Sequence, residues 1–157
     1  MNPGHGVLLV TRLSVDYCGA IEAGISPTSK PTVSQPPLVL IVEDDQGTRA
    51  FYREALSQAG FRTVEAHNGH QALEKAQSAI PNAVLTDLAV PGLDGFEFCR
   101  ALQRSASTRA IPILAITGYS GYLDEPDRIR EAGISQVLIK PCAPDVIAEH
   151  LRRLIQQ

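Results

Sequence analysis

Four places in this chain put a side chain able to do chemistry at the end of a short apolar run. Glu43-Asp44 follow Leu38-Val39-Leu40-Ile41-Val42, and Asp87 follows Ala83-Val84-Leu85 with one threonine between. Thr117 closes the run Ile111 to Ile116, and Lys140 follows Gln136-Val137-Leu138-Ile139. A carboxylate at the end of a buried run is poorly placed for stability, because burial penalises its charged form. Asp87 is therefore the first residue to suspect of a chemical role. Behind it, Pro91-Gly92 suit the two central positions of a type II turn. Asp94 then opens a new element, with Glu97 three residues on as its capping-box partner. Glu43, Asp44 and Asp87, if gathered, would repel one another unless a cation offsets them. All-oxygen ligands of that kind suit Mg²⁺, with Mn²⁺ as the alternative. Lys140 would neutralise part of the cluster and pair with an incoming anion, and Thr117 offers a hydroxyl donor. A cation, a fixed ammonium and a hydroxyl around one carboxylate form a cradle for a phosphoryl group.

These groups act together only if the chain brings them to one rim. Leu38–Val42 is apolar throughout, as in a strand buried on both faces. Phe61–Ala66 is a second, less apolar strand, expected at a sheet edge. The Asp87 strand is the third, Ile111–Ile116 the fourth (Pro112 being tolerable at its entry) and Gln136–Ile139 the fifth. Helices are expected between them. The first spans Gly47–Ala59 with Phe51, Ala55, Leu56 and Ala59 inward and Gly60 as its stop. The second spans Gly69–Ala79 with Ala72, Leu73 and Ala76 on one face. The third runs from Asp94 to about Arg104 with Phe96, Cys99 and Leu102 inward. A short fourth lies within Gly121–Ala132, capped by Asp124 with Pro126 in the first turn, or earlier by Ser120. The last runs from Pro144 to about Ile155 with Val146, Ile147, Leu151 and Leu154 on one stripe. Strict alternation without hairpin signals requires right-handed crossovers and a parallel sheet. The expected fold is a doubly wound, flavodoxin-like α/β domain with five parallel strands in the order 2-1-3-4-5 and helices on both faces. Its switch point lies between the first and third strands, setting Glu43, Asp44 and Asp87 side by side.

The bulk numbers narrow the function classes. With 157 residues, 44% hydrophobic and 20% charged, and a net charge of -3, the chain suits one ordinary domain. A pI near 5.8 offers no concentrated basic face for nucleic acid. No apolar run approaches the ~20 residues a bilayer requires, and Val7-Leu8-Leu9-Val10 is too short for a signal-peptide core. Cys18, Cys99 and Cys142 are odd in number and have no metal-type spacing, so a reduced, cytoplasmic protein is expected. Residues 26–37 contain four prolines and five hydroxyl residues in twelve. Residues 1–37 are accordingly read as a disordered tail or linker, and 38–157 as the folded domain.

The motifs Leu-Ile-Val-Glu-Asp-Asp, Leu-Thr-Asp-Leu-Ala-Val-Pro-Gly-Leu-Asp-Gly, Ile-Thr-Gly and Ile-Lys-Pro occur in order in this chain. With them, residues 38–157 resemble the receiver domain of two-component response regulators, of the stand-alone, CheY-like kind. The resemblance implies that Asp87 accepts a phosphoryl group from a phosphohistidine on a sensor histidine kinase or histidine phosphotransfer protein. It implies Mg²⁺ bound by Asp44, Asp87 and the backbone carbonyl of Ala89, with Glu43 reaching the ion through water. Lys140 and Thr117 would contact the phosphoryl oxygens. Movement of Thr117 would shift the face made by the fourth helix, fifth strand and fifth helix. Two positions depart from the family's commoner pattern. Val137 stands where many receivers carry an aromatic switch residue, and Cys142 where Phe is common. Ala89 and Tyr119 fall where the family tunes the lifetime of the phosphoryl group.

The expected function is a phosphorylation-controlled switch that alters binding to a downstream protein, with no direct nucleic-acid or membrane binding. The chain would assist its own phosphorylation and dephosphorylation without being an enzyme otherwise. The alternatives are a phosphotransfer shuttle or phosphate sink in a relay, or a protein-binding module that ignores phosphorylation. The chain closes after its fifth helix, so no attached output domain is expected, and a homodimer through the last two helices is one mode of assembly. A haloacid-dehalogenase-type phosphatase is disfavoured, because position 89, two after Asp87, holds alanine in place of an acid. Blander roles are expected elsewhere. Asp45 and Asp94 serve as helix caps, Cys99 as core and Cys142 as a buried spectator. His67, His70 and His150 are surface residues. Tyr119 and Tyr122 are a partner surface or exposed loop residues.

Overall fold

The computed structural model describes residues 34–157. The tail expected over 1–37 lies mostly outside them, as does Cys18; Ser34–Pro37 has no regular structure and leads into the first strand. The elements then alternate as β1 (Leu38–Val42), α1 (Gln46–Gln58), β2 (Arg62–Ala66), α2 (Gly69–Ala79), β3 (Ala83–Asp87) and α3 (Gly95–Arg104). They continue as β4 (Ile113–Thr117), a 3₁₀ turn (Ser120–Asp124), α4 (Pro126–Glu131), β5 (Gln136–Ile139) and α5 (Pro144–Ile155). All strand pairs are parallel and the order is β2-β1-β3-β4-β5. The expected doubly wound, flavodoxin-like fold is the observed one.

The period of two along each strand divides the apolar residues between two cores. Leu40, Val42, Val84, Ile113 and Ala115 pack with Ala72, Ala76, Phe96, Cys99 and Leu102 of α2 and α3. Val39, Ile41, Leu85, Leu114 and Ile116 pack on the other face with Tyr52, Leu56, Ile147 and Leu151 of α1 and α5. The inner strands β3 and β4 are buried along their whole length, whereas β2 and β5 at the edges are mostly half-buried. The polarity of β2 had marked it as an edge.

Helix faces differ from the expectation in two places. Phe51 is 52% exposed, and its neighbour Tyr52 is buried instead. The inward stripe of α1 is Tyr52, Ala55, Leu56 and Ala59, which keeps the 3-4 spacing that Phe51 breaks. On α5, Val146 is 37% exposed, and Ile147, Ala148 and Leu151 hold the core. The expected fourth helix is two pieces, a 3₁₀ turn and then α4. Glu125, not Asp124 or Ser120, occupies the N-cap position, with Pro126 just inside the helix. Strand β4 begins at Ile113, two residues later than expected.

Candidate functional site

Three of the strands that end on one rim of the sheet deliver Glu43, Asp87 and Lys140 to each other. Val42 pairs with Thr86 across β1 and β3, so Glu43 and Asp87 leave the sheet side by side. Lys140 follows β5, and its backbone N–H donates to the Thr117 carbonyl at 2.8 Å, which draws the end of β5 against β4. The peptide bond after it, Lys140–Pro141, is cis. Lys140 Nζ donates to Asp87 Oδ2 at 2.6 Å and to Glu43 Oε2 at 3.0 Å. Asp87 Oδ1 accepts the Ala89 N–H at 2.8 Å, so both of its carboxylate oxygens are held. The whole residue is nearly buried.

Glu43 is 3% exposed. Burial pushes its carboxyl above the usual glutamate value, and the hydrogen bond from Lys140 opposes that shift only in part. For Lys140, burial alone would favour the neutral amine. The hydrogen bonds and charges of Asp87 and Glu43 outweigh it and hold the ammonium above the ordinary lysine range. The lysine thus stays charged throughout the neutral range, between two acids.

Asp44 does not join them. It is exposed, and among the described residues no three acidic, histidine or cysteine side chains stand at metal-holding spacing. The expected trio of crowded carboxylates is therefore a pair bridged by an ammonium, with the third directed to solvent. Lys140 supplies the counter-charge for the buried acids, and water solvates Asp44 at little cost. The donor set still suits a hard cation. Asp44, Asp87 and the Ala89 carbonyl could offer oxygen donors only, and nearby Lys140 already offsets part of the negative charge.

Thr117 is buried at the end of β4, one residue beyond Ile116, the register partner of Asp87. Its hydroxyl oxygen accepts the Tyr119 N–H at 3.2 Å. The turn behind Asp87 has Gly92 at φ +87°, as the second central position of a type II turn requires. Asp94 caps α3, but through the Phe96 N–H (3.2 Å) and not the N–H of Glu97. Asp45 caps α1 through the Thr48 N–H at 2.7 Å, as expected.

Two supporting residues escaped the sequence reading. Arg49 Nη1 donates to the carbonyls of Glu43 (2.8 Å) and Asp44 (3.3 Å), while its Nε pairs with Glu65 of β2 at 3.3 Å. A cation one turn into the helix that follows an acidic strand end was the available signal. Thr86 donates its hydroxyl to the Asp87 carbonyl at 2.9 Å. The remaining candidates fall outside the site. Cys99 is core, its thiol pushed up to about 12 by burial. Cys142 is half-buried, not buried, and its thiol is raised mainly by the burial it has. His67 and His70 are exposed, but His150 is half-buried, with Nδ1 donating to Gln136 Oε1 at 2.9 Å. Beside Lys140 an open groove of about 690 Å³ is lined by Asp45, Thr48, Phe51, Tyr52, Pro141 and Cys142, among others.

A parallel five-stranded sheet with an acid, a lysine and a hydroxyl at its switch-point rim defines a class, and comparison places the chain in it. Residues 39–152 match the response regulator receiver domain family. The chain belongs to that family. The polar-differentiation response regulator DivK of Brucella anthropi is 32% identical over 106 residues, covering 68% of this chain and 85% of that protein. The phosphate regulon transcriptional regulatory protein PhoB of Klebsiella pneumoniae is 31% identical over 121 residues. That match covers 76% of this chain but 52% of PhoB, so the chain spans about half of that relative. Among solved structures, the chemotaxis protein CheY4 of Vibrio cholerae has a TM-score of 0.71 at 28% identity, over 76% of this chain and 98% of its own. The receiver domain of the sensor histidine kinase PA1611 of Pseudomonas aeruginosa has a TM-score of 0.71 at 26% identity, over 78% of this chain and 99% of its own. That structure holds a magnesium ion in its active site cleft. Among the described residues of this chain, no helix is long and apolar enough to cross a membrane.

Proposed function

We propose that Asp87 accepts a phosphoryl group from a phosphohistidine on a sensor histidine kinase or histidine phosphotransfer protein, and that this changes binding to a downstream protein. The observation that carries the reading is the Asp87 carboxylate, nearly buried at the end of β3 and held at 2.6 Å by the Lys140 ammonium. An Asp87 oxygen attacks phosphorus as the nitrogen–phosphorus bond breaks. The imidazole nitrogen leaves with the electron pair and takes up a proton. Lys140 stays protonated and balances the charge added to Asp87, while the Ala89 N–H fixes the plane of the carboxylate. Thr117 offers its O–H to a phosphoryl oxygen.

Asp44, Asp87 and the Ala89 carbonyl would hold Mg²⁺, with Glu43 reaching it through water. The ion would offset charge on the phosphoryl oxygens. In this reading the chain promotes only its own phosphorylation and dephosphorylation. The test is intact mass after incubation with acetyl phosphate and Mg²⁺, for wild type and Asp87→Ala. A gain of about 80 Da, the HPO₃ added to one side chain, is expected in wild type alone and only with Mg²⁺. A wild type unmodified by acetyl phosphate and by a phosphohistidine donor would sink the reading.

A further inference from the structure

Val137 lies half-buried in β5, beside Ala115 of β4, and has no ring to move. An aromatic assembly stands instead between the two segments that flank Asp87. Tyr119, whose N–H holds the Thr117 hydroxyl oxygen, meets Tyr122 edge-on, with ring centres 4.9 Å apart and planes at 84°. Tyr122 meets Phe96 edge-on at 5.1 Å and 72°. Phe96 is fully buried in the first turn of α3, the helix that follows the Asp87 loop. Arg128 of α4 closes the group. Its guanidinium lies 4.0 Å from the centre of the Phe96 ring and 3.9 Å from Asp94, the cap of α3. The seat of Tyr119 also needs Gly121, because a Cβ there would fall 2.4 Å from the Tyr119 ring.

We infer that Tyr122, wedged between Tyr119 and Phe96, is a positioning residue that ties the loop carrying Thr117 to the helix following Asp87, and so carries the state of Asp87 to the exposed ring of Tyr119. The inference rests on Asp87 being the phosphoacceptor. The Thr117 hydroxyl has one proton to donate, and the Tyr119 N–H occupies one of its lone pairs. A phosphoryl group on Asp87 presents new acceptor oxygens to the neighbouring strand end. Turning the Thr117 O–H toward them moves the hydroxyl relative to the Tyr119 N–H, so that peptide follows or the bond is lost. Either change displaces the Tyr119 ring from its seat over Gly121. Tyr122 is held from the other side by Phe96, with Arg128 anchored on Asp94 behind it. The displacement therefore appears at Tyr119, which is 61% exposed, and is not absorbed by a slack loop.

The test uses the full chain labelled with 3-fluorotyrosine. Its four tyrosines are assigned by single Tyr→Phe variants, and ¹⁹F spectra are taken before and after acetyl phosphate with Mg²⁺. Intact mass is measured on the same samples. In wild type carrying one phosphoryl group, the Tyr119 and Tyr122 resonances are expected to shift. In Tyr122→Leu the mass gain is expected to remain while Tyr119 sits at a solvent-exposed position and no longer responds. Tyr122→Phe should restore the Tyr119 response, because a ring of the same shape fills the wedge. Gly121→Ala, which leaves all three rings in the chain, should also abolish the response and serves where Tyr122→Leu fails to fold. A phosphorylated wild type with Tyr119 unmoved, or a normal response in either variant, overturns the inference. A wild type that gains no mass from any donor overturns the reading of Asp87, and the inference with it.

Discussion

Lys140 is the residue on which the electrostatics of the site turn. It bridges Glu43 and Asp87 and is itself partly exposed, so the pair it neutralises lies at the edge of the protein interior. Its folded-state pKa is raised above the ordinary 10.5. The folded protein therefore binds that proton more tightly than the unfolded chain does, and the resulting stabilisation is complete below pH 10.5. It is lost as pH rises through the folded-state value. Lys140→Met, which leaves two acids without a counter-charge, is expected to be less stable than wild type across the neutral range. The gap should narrow only in strongly alkaline buffer, which urea titrations between pH 7 and 11 would show. A gap that narrowed between pH 7 and 9 would mean another group carries the effect. At this scale much could be read from the chain itself. Asp87, Lys140 and Thr117 stood out because a charge or hydroxyl ending an apolar run needs an explanation. Thr86 did not stand out, since its hydroxyl works through a backbone carbonyl, which carries no residue-type signal. Arg49 was marked only by its place one turn beyond an acidic strand end.

Helices and turns obey rules local enough to be read, with exceptions that come from packing. Asp45 and Asp94 cap the helices they were expected to cap. The inward faces of α1 and α5 were misjudged by one residue each. Phe51 and Tyr52 are adjacent and both aromatic, so hydrophobicity alone cannot say which turns inward. One further element departs from local preference. The C-cap of α2 is Ile80, in the left-handed region at φ 45°, with its side chain about half exposed. A non-glycine residue there costs roughly 1–2 kcal/mol. Ile80→Gly is expected to raise stability by about 0.5–1 kcal/mol, once the greater freedom of glycine in the unfolded chain is allowed for. A higher urea midpoint with an unchanged slope would show it. A lower midpoint would mean that the exposed isoleucine makes contacts worth more than its backbone strain.

Across the described residues, one parallel sheet separates two cores, and the candidate site sits on the rim of that sheet. Leu114 is fully buried in β4, on the face shared with α1 and α5. Leu114→Ala is expected to cost roughly 2–5 kcal/mol, read from urea denaturation, because a central strand cannot collapse into the space left. The protein that remains folded should still gain a phosphoryl group, since no site residue is changed. Loss of phosphorylation at full folding would show that the core positions the rim more finely than proposed here. The strand order 2-1-3-4-5 rested on likeness to known doubly wound folds. Alternation of apolar runs with helical periods was enough, from sequence, to indicate the parallel sheet and the sharing of one rim by Glu43, Asp87, Thr117 and Lys140. Those features follow from short-range periodicity and from the handedness of crossovers. Tertiary structure alone decided that Lys140 bridges two of the acids while Asp44 turns to water, and that Tyr122 is wedged between Tyr119 and Phe96. Both depend on distances between residues far apart in the chain, where desolvation and ring packing select one side-chain arrangement among several that the same strand ends would permit.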